Sequence, residues 1–407
     1  MTKYLLTLIF SITFLISANA QDWELLNESP FRSNHSVGFA LKGIGYSVTG
    51  SVQGNFSDQF YSYDPTTDAW TQLDDFPGAS RSFSIGDTWN DKAYVGFGVD
   101  PNNNYLNDLW EFDPDTNTWT ELASCPCVGR SHPAFIAHQG KIFVGMGGNN
   151  GNRDDWWEYD MATDTWSEKP DFPDLPRHHP YQFAVGDYIY TGFGHGSSIN
   201  GNLNIFDEWY RYDPQTEIWD QMATLPAEGR VAGTQFSHGD KGYVLSGDGD
   251  NHNFMSTGEF WEYDPVVDEW TSLPPHPGTS RWAPTSFVID DYVYFMTGLS
   301  QSSVEDLNMY RYYLGEGDPP TSTEELINDE IVISPNPSSD KISIQLTEAS
   351  SVFENLSLFN SNGQLILERT GLNNNRITLN IENIPNGVYY LKIKLEDEVI
   401  SQKIIKQ

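Results

Sequence analysis

Positive charge, cysteine and long apolar runs are all scarce in this sequence of 407 residues. It has 22 Lys and Arg against 57 Asp and Glu, which gives a formal net charge of −35. A field of this sign repels nucleic acid and anionic lipid, so we expect no nucleic-acid partner. No apolar run is long enough to cross a bilayer, so we expect no membrane insertion.

The only two cysteines, Cys125 and Cys127, flank Pro126. Two thiols are too few for a zinc site, and a bridge over one residue closes a strained small ring. We therefore expect a local loop feature without chemistry. The loop Gly247–Asn251 has oxygen ligands suited to calcium, but it lacks the spacing and the distal Glu of an EF-hand. We predict neither a cofactor nor a metal.

The first 20 residues have the features of a secretory signal peptide. Lys3 precedes an apolar run from residue 4 to residue 16, and the small-residue site Ala18-Asn19-Ala20 follows. Cleavage after Ala20 is expected. The cleavage region contains no cysteine, so a lipid anchor there is unsupported. The mature chain is therefore predicted to be exported and soluble.

One aromatic phrase recurs along most of the chain. It begins with two aromatic residues in alternation, continues with Asp, usually followed by Pro, and ends on Trp. Its copies span residues 61–70, 110–119, 157–166, 210–219 and 261–270, with a truncated sixth at 310–312. The first aromatic residues of successive copies lie 49, 47, 53, 51 and 49 residues apart. This period, with four short strand-like runs per copy, is typical of a β-propeller.

Each part of the phrase has a physical task. Alternating aromatic residues place both rings on one side of a strand, and Asp-Pro ends that strand in a turn. Trp then begins the returning strand. The pattern resembles the kelch repeat, and this resemblance implies a propeller in which each copy forms one four-stranded blade.

The two ends of the repeat region complement each other. Trp23-Glu-Leu-Leu26 matches the returning strand but has no aromatic pair before it, whereas Tyr310-Arg-Tyr312 has the pair but no Trp after it. The sequence therefore predicts six blades over residues 21–317, closed by the N-terminal strand, which also hides two sheet edges. Five blades with frayed ends are the alternative.

Loop lengths differ between the two predicted faces of the ring. With the strands of a blade called a to d and d carrying the Trp, the d-to-a and b-to-c loops share one face. The b-to-c loops vary in length, whereas the turns of the opposite face are tight and uniform. Binding is expected on the variable face.

The composition changes after a polar, Pro-containing linker at residues 318–330. Residues 331–407 lack Trp and contain short alternating strands separated by turn signals, which predicts a small Ig-like β-sandwich in an otherwise all-β protein. Ile333-Ser-Pro-Asn-Pro337, Asn360-Ser-Asn-Gly-Gln364 and Ile384-Pro-Asn-Gly-Val-Tyr389 resemble the C-terminal sorting domain of the type IX secretion system. The resemblance implies that this machinery is a partner and that the protein is secreted or attached to the outer cell surface.

The sharpest candidate site is a set of arginines that share one phase of the repeat. They are Arg32, Arg81, Arg130, Arg177, Arg230 and Arg281, with His35, His132, His178, His179 and Trp282 nearby. Each lies in a d-to-a loop, so the arginines should surround one mouth of the central channel. Guanidinium groups bind carboxylates bidentately, and Trp282 offers a stacking surface, so acidic glycans are the specific hypothesis.

The alternative is that the arginines are architectural. Carboxylates recur just before strand c and are predicted on the same face, where they can pair with the arginines. They are Asp58, Asp108, Asp155, Asp207, Glu259 and Asp306.

The most economical function is a noncatalytic binding scaffold for an extracellular glycan or protein. The competing prediction is a sugar epimerase or mutarotase of the sialic-acid epimerase type, which would use Arg, His and Glu groups at the channel mouth. The two differ in the state of the arginines, because an enzyme needs them unpaired beside an enclosed pocket.

Overall fold

The computed structural model describes residues 23–197, 204–302, 304–315, 331–334, 338, 340–346, 352–360, 365–372, 374–395 and 399–406. The predicted signal peptide and linker lie outside these residues. The chain divides into two compact units, Met1–Pro319 and Pro320–Gln407. No helix among the described residues has the length and apolar character needed to cross a membrane.

The first unit contains six four-stranded antiparallel sheets, which we call blades 1 to 6, within the described residues. The N-terminal strand is β1 (Glu24–Leu25). Blade 1 has β2 (Val37–Leu41), β3 (Ile44–Val48), β6 (Phe60–Asp64) and β7 (Ala69–Gln72), with a small hairpin of β4 (Ser51–Val52) and β5 (Asn55–Phe56) between β3 and β6. Blade 2 has β8 (Ile85–Trp89), β9 (Lys92–Gly96), β10 (Leu109–Asp113) and β11 (Thr118–Leu122).

The remaining blades repeat this up-and-down order. Blade 3 has β12 (Ala134–His138), β13 (Lys141–Gly145), β14 (Trp156–Asp160) and β15 (Thr165–Lys169). Blade 4 has β16 (Tyr181–Val185), β17 (Tyr188–Gly192), β18 (Trp209–Asp213) and β19 (Ile218–Met222). Blade 5 has β20 (Thr234–His238), β21 (Lys241–Leu245), a 3-10 turn (Asp250–His252), β22 (Gly258–Asp264) and β23 (Glu269–His276). Blade 6 has β24 (Thr285–Ile289), β25 (Tyr292–Met296) and β26 (Tyr310–Tyr313).

The N-terminal strand completes blade 6, as the sequence predicts. Strand β1 pairs with β26, with Glu24 opposite Arg311 and Leu25 opposite Tyr310. Trp23 lies with its ring centroid 5.2 Å from that of Tyr312, and its Nε1 donates a hydrogen bond to the Pro274 carbonyl at 2.9 Å. The first and last strands of the unit therefore close the ring.

The hydrophobic core of this unit lies between blades. Six buried clusters each combine side chains of two neighbouring blades, and blades 6 and 1 form such a pair through Tyr63, Phe287 and Tyr294. Burial of large aromatic surfaces at every junction stabilises the ring as one unit. The aromatic phrase therefore supplies mainly framework.

Glycine permits the tightest junctions. A Cβ on Gly242 would lie 2.0 Å from the Phe183 ring of blade 4, and one on Gly45 would lie 2.3 Å from the Phe287 ring of blade 6. Both glycines lie in strand b or at its start, where neighbouring blades converge. Only a residue without a side chain fits there.

The structure corrects the expectation for the two cysteines. Cys125 and Cys127 form a disulfide, both are buried, and their Cα atoms are 5.1 Å apart. This separation lies within the range that a disulfide spans, and the intervening Pro126 turn supplies it. The disulfide also suits an exported protein.

The second unit has two sheets that share one core. Its strands are β27 (Ile331–Ser334), β28 (Lys341–Leu346), β29 (Asn355–Asn360), β30 (Leu365–Thr370), β31 (Arg376–Asn380), β32 (Gly387–Lys394) and β33 (Val399–Lys406). The order is β27-β28-β31 in one sheet and β30-β29-β32-β33 in the other. Ile342 and Leu379 of the first sheet pack with Leu358 and Leu391 of the second. This is a β-sandwich, and its Ig-like description stays a prediction.

Candidate functional site

The innermost strands of the six blades enclose an axial cavity of about 560 Å³. It is lined by residues of β2, β8, β12, β16, β20 and β24 and by the segments that lead into them. A cavity of this size lies within the range of about 300–1,000 Å³ that ligand sites occupy. His35, His132 and His179 line it, and these residues belong to the d-to-a connections that enter strand a.

Each blade has one equivalent residue at this end of the cavity, and five of these six residues line it. We call these the mouth positions: His35, Phe83, His132, His179, Ala232 and Ala283. All six have a positive φ, between 49° and 61°. A backbone bend of this kind is costly for a residue with a side chain, yet it recurs in every blade and belongs to the framework. The side chain that it carries differs between blades.

Backbone hydrogen bonds join neighbouring mouth positions. The amide of His132 donates to the Phe83 carbonyl, and that of His179 donates to the His132 carbonyl, each at 3.1 Å. The amide of His35 donates to the Ala283 carbonyl at 3.0 Å. The mouth is thus held at fixed spacing by the main chain, whatever its side chains are.

The arginines lie two residues before the mouth positions and take a different environment. Arg130 is fully buried, and its guanidinium donates to both carboxylate oxygens of Asp155, at 2.5 and 2.7 Å. It also donates to the carbonyls of Met146 and Val128, each at 2.9 Å. Burial alone would raise the pKa of the Asp155 carboxyl, but its bonds with Arg130 hold that pKa below the ordinary value.

Four more arginines are buried, and each forms an ion pair with one acidic side chain. Burial lowers the pKa of Arg177 and of Arg281, against the opposing effect of their carboxylates. The pairs are Arg81–Asp108 at 2.6 Å, Arg177–Asp174 at 2.8 Å, Arg230–Glu259 at 2.8 Å and Arg281–Asp306 at 3.2 Å. With Arg130 we call these five residues the arginine ring.

Arg32 does not belong to the arginine ring. The prediction that all six arginines occupy the same position of the repeat is therefore wrong for Arg32. The carbonyls of Arg81, Arg130, Arg177, Arg230 and Arg281 each accept from a glycine amide of the preceding blade, and in blade 1 the carbonyl that does so is that of Ser33. Arg32 is only half-buried and donates to the Glu305 carbonyl. The extra residue between Arg32 and His35 shifts the arginine by one position.

The prediction of pairing carboxylates needs a similar correction in blades 1, 4 and 6. The residue that precedes strand c is Gln59 in blade 1 and Glu208 in blade 4, because their carbonyls accept the amides of Thr49 and Phe193. Asp58 instead accepts from the Ser80 hydroxyl. Blade 1 therefore has neutral Ser33 and Gln59 where blades 2, 3 and 5 have an arginine paired with an acid.

In blade 4, Arg177 pairs with Asp174 in place of the predicted Asp207. In blade 6, Asn308 takes the position before strand c, and Arg281 pairs with Asp306, two residues earlier.

None of the predicted arginines lines the cavity among the described residues. The guanidinium groups of the arginine ring each face a carboxylate. The geometry matches the architectural alternative and gives no support to a ring of free guanidinium groups at the mouth.

Three histidines from separate blades converge at the mouth. Nε2 of His35 lies 3.3 Å from Nε2 of His179, and the rings of His132 and His179 have centroids 3.3 Å apart. One ring nitrogen from each of the three lies within 4.8 Å of the others. His35 donates from Nδ1 to Oδ1 of Asn34 at 2.7 Å. Phe83 and Trp282 pack edge-on against the His35 ring.

A second group of histidines adjoins the first. His178 contacts Oδ1 of Asn152 through Nδ1 at 2.8 Å, and its ring centroid lies 4.7 Å from that of His195. Nε2 of His252 lies 3.2 Å from Nδ1 of His195. His195 and His252 belong to b-to-c loops, whereas His178 belongs to a d-to-a loop, so both loop types do meet on one face.

Burial keeps most of these imidazoles neutral. It lowers the pKa of His35 to about 3 and those of His178 and His195 to about 4. For His132 and His179, burial and the neighbouring imidazoles lower the pKa well below the ordinary 6.5. The mouth therefore presents uncharged nitrogen lone pairs and aromatic rings.

The sequence placed His132, His179 and Trp282 in the candidate site, with His35 beside them. It gave no sign that His35 approaches His179, which lies three blades away, or that His195 and His252 join the same face. One local signal was available: the residue two positions after the buried arginine lines the cavity in blades 3, 4, 5 and 6.

Comparison with known proteins supports the fold of the first unit. Residues 9–194 match the family model described as the KLHDC2/KLHL20/DRC7 Kelch-repeats domain. The Kelch-like protein terF of Aspergillus terreus is 33% identical over 97 residues, which cover 23% of this chain. The match spans about a fifth of that relative's length.

A solved structure, titled Structure of YjhT, has the same fold. It superposes with a TM-score of 0.60 at 15% identity, over 72% of this chain and 98% of that chain. At this identity the likeness concerns the fold alone.

The second unit matches a different family. Residues 332–407 match the secretion system C-terminal sorting domain, whose presence indicates export by the type IX system to the cell surface or beyond. The chain is thus a β-propeller protein whose residues 9–194 match a Kelch-repeat family model and whose residues 332–407 match the type IX sorting family.

Proposed function

We propose that the propeller is a noncatalytic extracellular binding protein that takes an uncharged part of a glycan into its axial cavity. The observation that carries the proposal is the cavity itself, whose rim is built from framework bends while its side chains differ between blades. Constant backbone with varied side chains is the arrangement in which a fold supplies specificity.

The lining suits polar, uncharged ligands. Gln182 is buried and its Oε1 has no hydrogen-bond partner among the described residues, which leaves an acceptor for a sugar hydroxyl. Thr234 and Ser286 add hydroxyl groups to the wall. Phe83, Trp282 and the imidazoles at the mouth offer aromatic surfaces of the kind that pack on the apolar face of a sugar ring.

Charge favours a neutral ligand over an acidic one. The arginine ring is neutralised by its own carboxylates, and burial keeps the mouth histidines uncharged. The carboxylate that lines the cavity is Asp87, which accepts the amides of Ala137 and Thr88. Burial raises the pKa of Asp87 to about 6. An acidic glycan would therefore find no Lys or Arg side chain among the described residues that line the cavity.

The same lining weighs against the epimerase or mutarotase alternative. That chemistry calls for Arg and Glu beside His, and the described lining residues include neither Arg nor Glu. We therefore favour binding over catalysis.

A glycan array tests the proposal when the wild type is compared with variants whose cavity mouth is blocked by a larger side chain. Ala232→Phe and Ala283→Phe place a ring at mouth positions, where the chain already carries Phe83 with the same backbone bend. We expect wild-type binding to neutral glycans and at least a tenfold loss in either variant. Val266→Phe is the matched control, because Val266 is 86% exposed in a c-to-d turn.

Several outcomes would count against cavity binding. Glycan binding that survives in both blocked variants would place the ligand on the outer loops. Capture of a protein and of no glycan would favour the protein-scaffold form of the prediction. Turnover of a bound sugar, followed by NMR, would restore the enzyme alternative.

A further inference from the structure

The mouth histidines form a constellation that glycan binding does not require. His35, His132 and His179 come from blades 1, 3 and 4, and a ring nitrogen of each lies within 4.8 Å of the other two. We propose that these three imidazoles bind a divalent transition-metal ion, with zinc as the best match. The inference does not rest on the proposed glycan binding.

The spacing of two of the ring nitrogens fits a tetrahedral ion, and the third ligand lies within 4.8 Å of them. Zinc binds histidine nitrogen at about 2.0–2.1 Å, so two ligands at a tetrahedral angle lie about 3.3–3.4 Å apart. The Nε2 atoms of His35 and His179 are separated by 3.3 Å.

Asn34 orients one of the ligands. By accepting the Nδ1 proton of His35 at 2.7 Å, its side-chain oxygen leaves the Nε2 lone pair free and turned toward His179. A hydrogen bond on the far side of the ring is the usual support for a metal-binding histidine.

Unsatisfied nitrogens at the mouth point to a missing partner. Both ring nitrogens of His132, and Nδ1 of His179, are buried without a hydrogen-bond partner among the described residues. Buried polar atoms of this kind are rare, because each leaves its desolvation cost uncompensated. A metal ion would use the lone pairs that the framework leaves unbonded.

The framework does not explain the histidines. The equivalent mouth positions carry Phe83, Ala232 and Ala283 with the same backbone bend, so neither an imidazole nor a large ring is needed there. Three histidines at positions that tolerate Phe and Ala therefore add chemistry to the fold. The net charge of −35 also favours cations near the protein.

The ligand set selects the class of ion. Three imidazoles without a carboxylate suit zinc, copper or nickel, whereas calcium and magnesium prefer oxygen. Three protein ligands leave a fourth tetrahedral position for water or another molecule. Ala232 and Ala283 contribute only methyl groups to the remaining part of the rim.

Calorimetric titration of the metal-free full chain with zinc chloride tests the site. We expect one ion per chain with a dissociation constant in the micromolar range or tighter, and no comparable binding of calcium chloride. His132→Phe should weaken zinc binding at least about 100-fold, because one ligand is lost. Phe83 is the precedent that this variant can fold. His238→Gln removes a histidine outside the site and should bind as the wild type does.

Cobalt offers a readout that needs no variant. Cobalt(II) in a tetrahedral three-nitrogen site gives strong visible absorption bands, and zinc should displace it. Wild-type chain that binds no zinc, weak octahedral cobalt spectra, or unchanged zinc affinity in both His132→Phe and His179→Ala would each overturn the proposal. Because the titration contains no sugar, these outcomes are independent of the glycan array.

Discussion

Two rings of residues lie side by side near one end of the propeller, two positions apart in the chain. The arginine ring has the same residue in five blades, and each guanidinium is buried against a carboxylate. The mouth positions share one backbone bend in six blades but carry His, Phe or Ala. The repeated residue pairs with a carboxylate, and the varied residue lines the axial cavity in five of the six blades.

The difference separates framework from site. A blade must solve the same packing problem each time, so the residue that solves it recurs. A ligand on the axis meets all blades at once, and it gains nothing from six identical contacts. In a repeat protein of this kind, the position with constant backbone and changing side chains is therefore the better candidate for function than the most regular residue.

Arg130→Ala should give the largest effect. It leaves Asp155 without its cation and removes the donors to two carbonyls, so we expect a loss of about 3 kcal/mol in the free energy of unfolding. Urea denaturation of the full chain measures it. Arg32→Ala is the matched control and should cost less than about 1 kcal/mol, because Arg32 is half-buried and makes one carbonyl contact. Equal losses would mean that the arginine ring is not the framework element.

His276 is a buried histidine outside the mouth positions, and we predict that it belongs to the framework. It is buried between Arg281 and Phe295, and its Nε2 contacts the Ser246 hydroxyl at 2.9 Å. Burial, with Arg281 adding repulsion, lowers its pKa to about 3. Between pH 6.5 and pH 3, His276 is protonated in the unfolded chain but neutral in the folded chain. The free energy of unfolding therefore falls as the pH drops through this range.

We expect His276 to contribute a stability loss of roughly 2 kcal/mol between pH 7 and pH 5. The His276→Phe variant should lack that part of the pH dependence, measured by urea denaturation at both values. His238→Gln, which changes a partly exposed histidine, controls for the loss of one imidazole. Identical slopes in His276→Phe and wild type would contradict the assignment.

The sequence predicted the framework well, because the same framework pattern recurs in every repeat. The period, the closing strand and five of six arginines could be located from the aromatic phrase alone. The prediction failed in blade 1 because one additional residue separates Arg32 from His35. Only the backbone hydrogen bond that Ser33 accepts shows which residue takes the arginine's place. A spacing rule cannot resolve such a one-residue shift.

Blade 1 also suggests a way to sharpen the framework assignment. It uses neutral Ser33 and Gln59 where blade 3 uses Arg130 and Asp155. The double variant Arg130→Ser with Asp155→Gln copies this solution and should be more stable than Arg130→Ser alone by about 1 kcal/mol, because no carboxylate is left unpaired. A double-mutant cycle in urea measures the coupling. Additive losses would show that the ion pair contributes nothing beyond its separate side chains.

The histidine cluster was beyond the sequence for a different reason. His35 and His179 are 144 residues apart and belong to blades on opposite sides of the ring. Their meeting depends on the diameter of the channel and on small residues at other mouth positions. No local pattern encodes either quantity.

The smallest expected effect is the change in stability of His132→Phe. It tests whether a mouth position, unlike the arginine ring, can change without loss of stability. The His132 ring nitrogens have no partner among the described residues, so the variant loses no hydrogen bond, and Phe83 shows that the bend accepts the ring. We expect the free energy of unfolding of metal-free protein to change by less than about 0.5 kcal/mol, or to rise, because an unsatisfied buried imidazole is removed. Urea denaturation in the presence of a chelator gives the value. A loss as large as that of Arg130→Ala would make His132 a framework residue and would remove the distinction between the two rings.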